Sequence, residues 1–209
     1  MMKWLRRFFK KHEPSAPKPK PIERFKPRIS RNELLLSFAS GELGTKEIRG
    51  SGSNARVEKY HAYARLDNTS GRVVTDDVPW CASFICFCLE MVGMGSTNSK
   101  AARSFLKWGV TVELKDALPG DLVVYYRGQK SGWSGHVGIF LGMSSGYIIT
   151  LGGNQADAVR VSKYSTTKLL SVRRSSKMME LNEVQQDHLW DMAAKVRAGN
   201  KVDASGKVV

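Results

Sequence analysis

Long hydrophobic runs are missing from this sequence. No stretch approaches the roughly 18 consecutive apolar residues of a membrane-crossing helix, which excludes that class of structure. Cysteine is scarce, with three residues (Cys81, Cys86 and Cys88), so a disulfide-dense scaffold is excluded as well. Acidic residues are few beside basic ones, 19 against 33, leaving a net charge of +14. Proline is confined, with five of the seven prolines inside residues 14–27. What is present is ordinary for one folded unit: 209 residues, 42% hydrophobic and 25% charged, enough to bury a full core without covalent staples.

The surplus charge is local. Residues 1–31 hold eleven basic and two acidic residues, so nine of the fourteen surplus charges sit there. Within KWLRRFFKKH, Trp4, Leu5, Phe8 and Phe9 fall on one helical face ringed by Lys and Arg, the pattern of a short helix lying on an anionic surface. The run is too short for a secretory signal and no small-residue cleavage site follows it. The Lys-Pro alternation after it predicts a stiff, extended spacer. This arm reads as a solvated basic tail, as an anchor to anionic membrane or polymer, or as a docking peptide for a larger assembly such as a virion. Nothing accompanies the charge that reads a nucleic-acid sequence, so no specific nucleic acid is expected.

Residues 32–176 read as one α+β domain, followed by a C-terminal helix and tail over 177–209. Helices are expected over 32–40, capped by Asn32, over 55–66, capped by Asn54, from Cys81 to about Gly93, and over 99–108. After Pro119 the segments 122–126, 136–142, 147–152, 159–164 and 169–174 are short, rich in β-branched residues and separated by glycine, which predicts antiparallel strands. Helices first and strands afterwards argue for helices packed on one face of an antiparallel sheet.

Cys81 follows Pro79-Trp80 and opens the apolar helix. Free backbone N–H groups and the helix dipole favour a thiolate there, so its pKa is expected to be lowered. Cys86 and Cys88 lie deeper in the same helix and read as small core residues. Their spacing does not suit zinc, and no metal is expected. His136 opens a strand in GHVGIFLG and can serve as a structural hydrogen-bonder or as a base. The next strand ends in LGGNQ, which reads as a turn or as a way to bring Asn154 beside His136. In the second case the Asn154 amide holds Nδ1–H and turns Nε2 toward the thiol. Trp133, Tyr63 and Gln155 are candidate substrate contacts, Trp133 being equally a plain loop anchor. The Cys81 N–H and a hydroxyl from Tyr60 or Tyr63 are candidate oxyanion donors. Asp76 and Asp77 lack the spacing of a calcium loop and read as a solvated or capping pair.

The segments PWCASF, LPGDLVVYYRG, GHVGIFLG and LGGNQ, in this order, resemble the CHAP and NlpC-type cell-wall cysteine peptidases, most of all a phage-associated subgroup, over about residues 34–165. The resemblance implies a papain-like α+β fold and hydrolysis of a peptidoglycan amide bond, with Cys81 as nucleophile, His136 as base and Asn154 as the orienting residue. It implies no cofactor. It implies action at the bacterial wall; with no export signal read in the arm, synthesis in the host cytoplasm and release as a free lysin or a virion component are expected. Two departures stand out. No carboxylate replaces the amide after Gly152-Gly153, Asp157 being the nearby acid, and Thr75-Asp76 stand where relatives of papain carry an oxyanion-hole Gln. Two other classes fit the same residues: a catalytically silent structural or virion tail protein on this fold, and a thiol acyltransferase or amidase acting elsewhere.

Overall fold

A computed structural model of the chain describes residues 30–67, 74–176 and 183–199. The expectations for the arm up to residue 29, and for the tail beyond residue 199, lie outside the described residues. The first helix, α1 (Arg31–Gly41), is capped by Ser30 rather than by Asn32: Ser30 Oγ accepts from the Glu33 amide at 3.2 Å and the Glu33 carboxylate reaches back to the Ser30 amide. Asn32 lies one position inside and donates from Nδ2 to the Pro119 carbonyl at 2.9 Å, tying α1 to the turn before the sheet. Helix α2 (Ala55–His61) is capped by Asn54 as expected but is shorter, because a separate 3-10 turn occupies Arg65–Asp67. The helix expected at 99–108 is a 3-10 segment, Ala102–Lys107.

Helix α3 (Cys81–Met91) is buried from Cys81 through Leu89, as a helix apolar on all sides must be. It ends on Gly93, whose φ of 68° no β-branched residue tolerates. Met94 N bonds Leu89 O and Gly93 N bonds Glu90 O, closing the last turn in a Schellman motif. Helix α4 (Glu183–Arg197) buries Leu189, Met192, Ala193 and Val196, one stripe at helical spacing, and sets Trp190 edge-on to Phe140.

The sheet has six antiparallel strands: β1 (Val110–Val112), β2 (Leu122–Tyr126), β3 (Gly135–Ser144), β4 (Tyr147–Gly152), β5 (Arg160–Ser165) and β6 (Leu169–Arg174), in the order β1-β6-β2-β3-β4-β5. Five were expected. The sixth, β1, is three residues long and gives no alternating signal. On β2, Leu122 and Val124 join the core shared with the helices, while Val123 and Tyr125 join a second cluster with Phe140, Ile148 and Val172. This is the expected α+β arrangement, helices packed on an antiparallel sheet.

The PGD turn is structural. Asp121 is buried, accepts from the Leu118 amide at 2.8 Å, and takes both Nε and Nη2 of Arg174 at 2.8 and 2.7 Å. Asp76 is likewise a fastener, its Oδ2 accepting the amides of Ile48 and Asn54, both at 2.8 Å.

The end of β4 passes so close to α3 that it excludes a side chain. A Cβ on Gly153 would lie 2.5 Å from Trp80 Cζ3 and 2.7 Å from Phe84 Cβ. Gly153→Ala therefore overpacks the junction and is expected to cost about 1–3 kcal/mol in urea unfolding. Gly41→Ala, at the open end of α1, where nothing lies within 4 Å of the added methyl, serves as the neutral or slightly stabilising control. Equal stabilities for the two variants would contradict this packing.

Candidate active site

Cys81 is the first residue of α3, and no side chain caps that end. The N–H groups of the first turn are therefore left to act on whatever lies in front of them. The thiol meets the start of β3, within reach of the Val137 amide and of the amides of Ala82 and Cys81 itself. His136, the residue before Val137 on β3, is fully buried and lies opposite Tyr125 on β2. The imidazole lies in an aromatic stack: its centroid is 5.0 Å from Tyr164 on β5, and Tyr164 is 4.5 Å from Tyr125. The Tyr125 hydroxyl bonds Thr150 Oγ1 at 2.7 Å, which fixes the far end of the stack.

The residue that holds His136 is Gln155, not Asn154. Gln155 Oε1 lies 3.1 Å from His136 Nε2, and no hydrogen bond joins Asn154 to the ring. The cause is the turn after β4. Asn154, Ala156 and Asp157 all adopt positive φ, at 51°, 51° and 59°. This backbone leaves Asn154 half-buried, exposes Ala156 and Asp157, and drives Gln155 inward to 3% exposure. Asp157 pairs loosely with Arg49 at 4.0 Å, away from the ring. Gln155 was expected to contact substrate; its amide is instead consumed by the protein.

The tautomer follows from the same contacts. Gln155 Nε2 donates to the carbonyls of Thr150, at 3.3 Å, and of Arg160. Its oxygen must then face the ring, so His136 Nε2 carries the proton and Nδ1 carries the lone pair. This reverses the expectation that Nδ1–H would be held and Nε2 would face the thiol. The lone pair is occupied: Arg127 Nη2 donates to Nδ1 at 3.2 Å. Among the described residues, no hydrogen bond joins the Cys81 sulfur to His136.

Burial sets the charge of both groups. It pushes the His136 pKa down to about 3, helped by the Arg127 charge and opposed by the Gln155 bond. It pushes the Cys81 thiol up, against the pull of Arg127 and the nearby amides. The expected lowered thiol pKa is therefore not found, because a thiol 4% exposed loses more by desolvation than one helix end returns. The resting pair is thiol and neutral imidazole.

Three other expectations are relocated. Tyr63 packs on Phe87 with its hydroxyl toward Met91, at the opposite end of α3 from Cys81, about 15 Å along the helix axis at 1.5 Å per residue. The Tyr60 hydroxyl is spent on Glu42 at 2.6 Å, inside the core, so neither tyrosine is placed to donate to an oxyanion at Cys81. Trp133 is 90% exposed in the β2–β3 connection, whose carbonyls Arg103 holds at Ser134 and Lys130. Cys86 and Cys88 are buried in the core as expected. Tyr164 was missed: a tyrosine in an alternating edge strand carries no signal of stacking on a histidine two strands away. A groove of about 780 Å³ opens on the other side of the 155–158 turn, between Lys46, Glu47, Asp157, Arg160 and Arg197, and contains neither Cys81 nor His136.

Residues 73–154 match the profile of the CHAP domain family. Among curated proteins, none matches the sequence. Solved structures similar to this one include the P60 domain of an antigen of M. avium subspecies paratuberculosis, at 18% identity and TM-score 0.44, covering 69% of this chain and 93% of that one. NlpC1 from Trichomonas vaginalis has 16% identity and TM-score 0.39, covering 72% of this chain and 45% of that one. A mutant of RipA, a resuscitation promoting factor interacting protein, has 18% identity and TM-score 0.45, covering 72% and 63%.

Two buried histidines make stability depend on pH. His136 is pushed down to about 3, and burial with the Lys100 charge pushes His61 down to about 4. Unfolded, both bind protons near pH 6.5. Their contribution is whole above about pH 6.5 and is lost as pH falls through 4 toward 3, because the unfolded chain binds the extra protons. The urea midpoint is expected to hold between pH 7.5 and about pH 6.5 and to fall from there to pH 4.5, with a shallower slope in His61→Gln. A midpoint that stays flat over that range would refute the buried neutral histidines.

Proposed function

We propose that this chain, whose residues 73–154 match the CHAP domain family, is a cysteine peptidase or amidase that hydrolyses an amide bond of bacterial peptidoglycan. The observation that carries the reading is the tautomer of His136. Gln155 fixes the proton on Nε2 and leaves a basic lone pair on Nδ1, on the side of the ring where the Arg127 guanidinium sits and whose charge also reaches Cys81. A thiol at an uncapped helix start, beside a base fixed in one tautomer by an amide, has the parts of a thioester mechanism.

In that mechanism the Cys81 S–H proton passes to Nδ1 as sulfur bonds the amide carbon. The carbonyl electrons move to oxygen, where the Cys81 N–H at the start of α3 donates to the developing charge. Collapse breaks the C–N bond, and the nitrogen leaves with the proton returned by His136. Water then gives a proton to Nδ1 and adds to the thioester. The acid leaves, and the proton returns to sulfur. Gln155 holds the imidazole plane throughout. Every step uses side chains, backbone and water.

The setting proposed with this activity is the bacterial wall, reached from the cytoplasm of the producing cell as a phage lysin or as part of a virion. Residues 1–31 are then the contact to an anionic membrane, to the wall or to a neighbouring virion protein.

One observation favours a second reading, a catalytically silent protein on this fold: Cys81 is buried and its thiol is not bonded to His136. Release of new amino termini from purified peptidoglycan, with mass analysis of the fragments, separates the two. The hydrolase reading expects release by the intact protein, none by Cys81→Ala, and a loss of about 10²–10⁴ in rate for His136→Ala. It also expects Gln155→Ala to cost more than Asn154→Ala. No release by any form, across walls of different cross-link chemistry, selects the silent reading.

A further inference from the structure

Arg127 is the exposed residue that touches the buried pair. It follows Tyr126 at the end of β2 and is held by its amide, which donates to the Ser134 carbonyl at 3.2 Å. Its side chain is exposed, whereas Cys81 and His136 are 4% and 0% exposed. Its guanidinium donates to His136 Nδ1, the lone pair that the thiol proton needs, and hydrogen-bonds the phenol of Tyr164, both neutral partners, while its charge bears on Cys81. Among the described residues, no carboxylate pairs with Arg127. Other cations of the fold are paired: Arg174 with Asp121, and Arg56 with Glu42.

A guanidinium is matched far better by a carboxylate, with two charge-assisted bonds, than by one nitrogen of a neutral ring. An unpaired arginine at the mouth of a buried pair, resting on the base itself, is a receptor with a weak temporary occupant. We propose that Arg127 is a carboxylate-binding subsite, and that a free carboxylate on the wall peptide, close to the scissile amide, draws the guanidinium off His136 Nδ1 and frees that nitrogen for Cys81. The inference rests on Cys81 and His136 being the reactive pair of the proposed hydrolase. It adds the substrate class, a peptide with a free carboxylate beside the bond cut, and a coupling between binding that group and arming the base.

Two measurements on the full chain test it. The first compares kcat/KM for paired stem-peptide substrates that differ in a free carboxylate against its carboxamide next to the scissile bond. The native protein is expected to favour the carboxylate by about tenfold or more, with the difference in both kcat and KM. The preference should fall to near unity in Arg127→Gln and stay partial in Arg127→Lys, which keeps the charge without the fork. The second compares alkylation of Cys81 by iodoacetate and iodoacetamide, followed by peptide mass analysis. The iodoacetate-to-iodoacetamide rate ratio is expected to drop about tenfold in Arg127→Gln and to fall with salt in the native protein. The alkylation arm needs no turnover. If no peptide is cut but the ratio depends on Arg127, the subsite stands and the hydrolase reading fails. If peptides are cut without preference and the ratio is the same in all three proteins, the subsite is overturned and the hydrolase reading stands.

Discussion

The arrangement at the centre of this molecule depends on one side-chain amide. Gln155 gives its two N–H groups to the carbonyls of Thr150 and Arg160, and this leaves its oxygen no other direction than His136 Nε2. A buried amide with both ends satisfied is stiff, because turning it over would set N–H against N–H and oxygen against oxygen. The imidazole inherits that stiffness. Its proton sits on Nε2, its lone pair on Nδ1, and its plane is kept by Tyr164 stacked at 5.0 Å. The position of Gln155 depends in turn on Gly152 and Gly153. A Cβ at Gly152 would stand 3.3 Å from the Gln155 amide and 3.5 Å from His136 Nε2, and one at Gly153 would run into Trp80 and Phe84. The two glycines let the end of β4 approach both the ring and the first turn of α3.

Burial and reactivity pull in opposite directions at Cys81. The uncapped helix start, three amides and Arg127 all favour a thiolate, and desolvation outweighs them. The same desolvation keeps His136 neutral. A thiolate–imidazolium pair would place two charges where the protein has excluded water, which is costly unless each is well paired. The neutral resting pair avoids that cost. The charges then need to exist only while a substrate carbonyl is present to take up the negative one.

Much of this was legible in the sequence. The all-apolar run from Cys81 with its Pro and Gly brackets, and the β-branched segments between glycines, carry signals that tertiary packing reinforced. The places of Cys81, in a first helical turn, and of His136, at the mouth of a strand, were readable in the sequence; their roles came from the resemblance. The choice between Asn154 and Gln155 was not. In a strand, neighbours alternate sides, but a turn with three non-glycine residues at positive φ has no such rule, and its inward residue is set by contacts to Thr150, Arg160 and α3. The Ser30 cap was hidden because Asn32 is an equally good capping residue two positions on, and what decides is that the Asn32 amide finds Pro119. The role of Tyr60 was hidden because its partner Glu42 is 18 residues distant in a separate helix-end loop. Arg127 and Tyr164 are placed by sheet register, which no local pattern encodes.

The four segments that carry the family likeness divide by what they do. PWC holds Cys81, the proposed nucleophile, and also Trp80, whose Nε1 donates to Glu47 at 2.5 Å and whose ring is the wall that Gly153 must clear. PGD supplies no chemistry: its Asp121 locks β6 to the turn before β2 through Arg174. GHVG holds His136, the proposed base, and LGGNQ supplies the two glycines and the amide that orient its ring. Arg127 belongs to LPGDLVVYYRG, at the end of the same strand that Asp121 opens. The β2–β3 register, with Tyr125 opposite His136 and Tyr126 opposite Gly135, brings the guanidinium that follows onto His136. With that guanidinium in place, proton transfer from Cys81 is opposed twice, by an occupied lone pair and by a like charge beside the imidazolium it would form. In the proposed change, moving one exposed side chain removes both obstacles at the cost of its hydrogen bond to His136, and the scaffold around it can stay rigid.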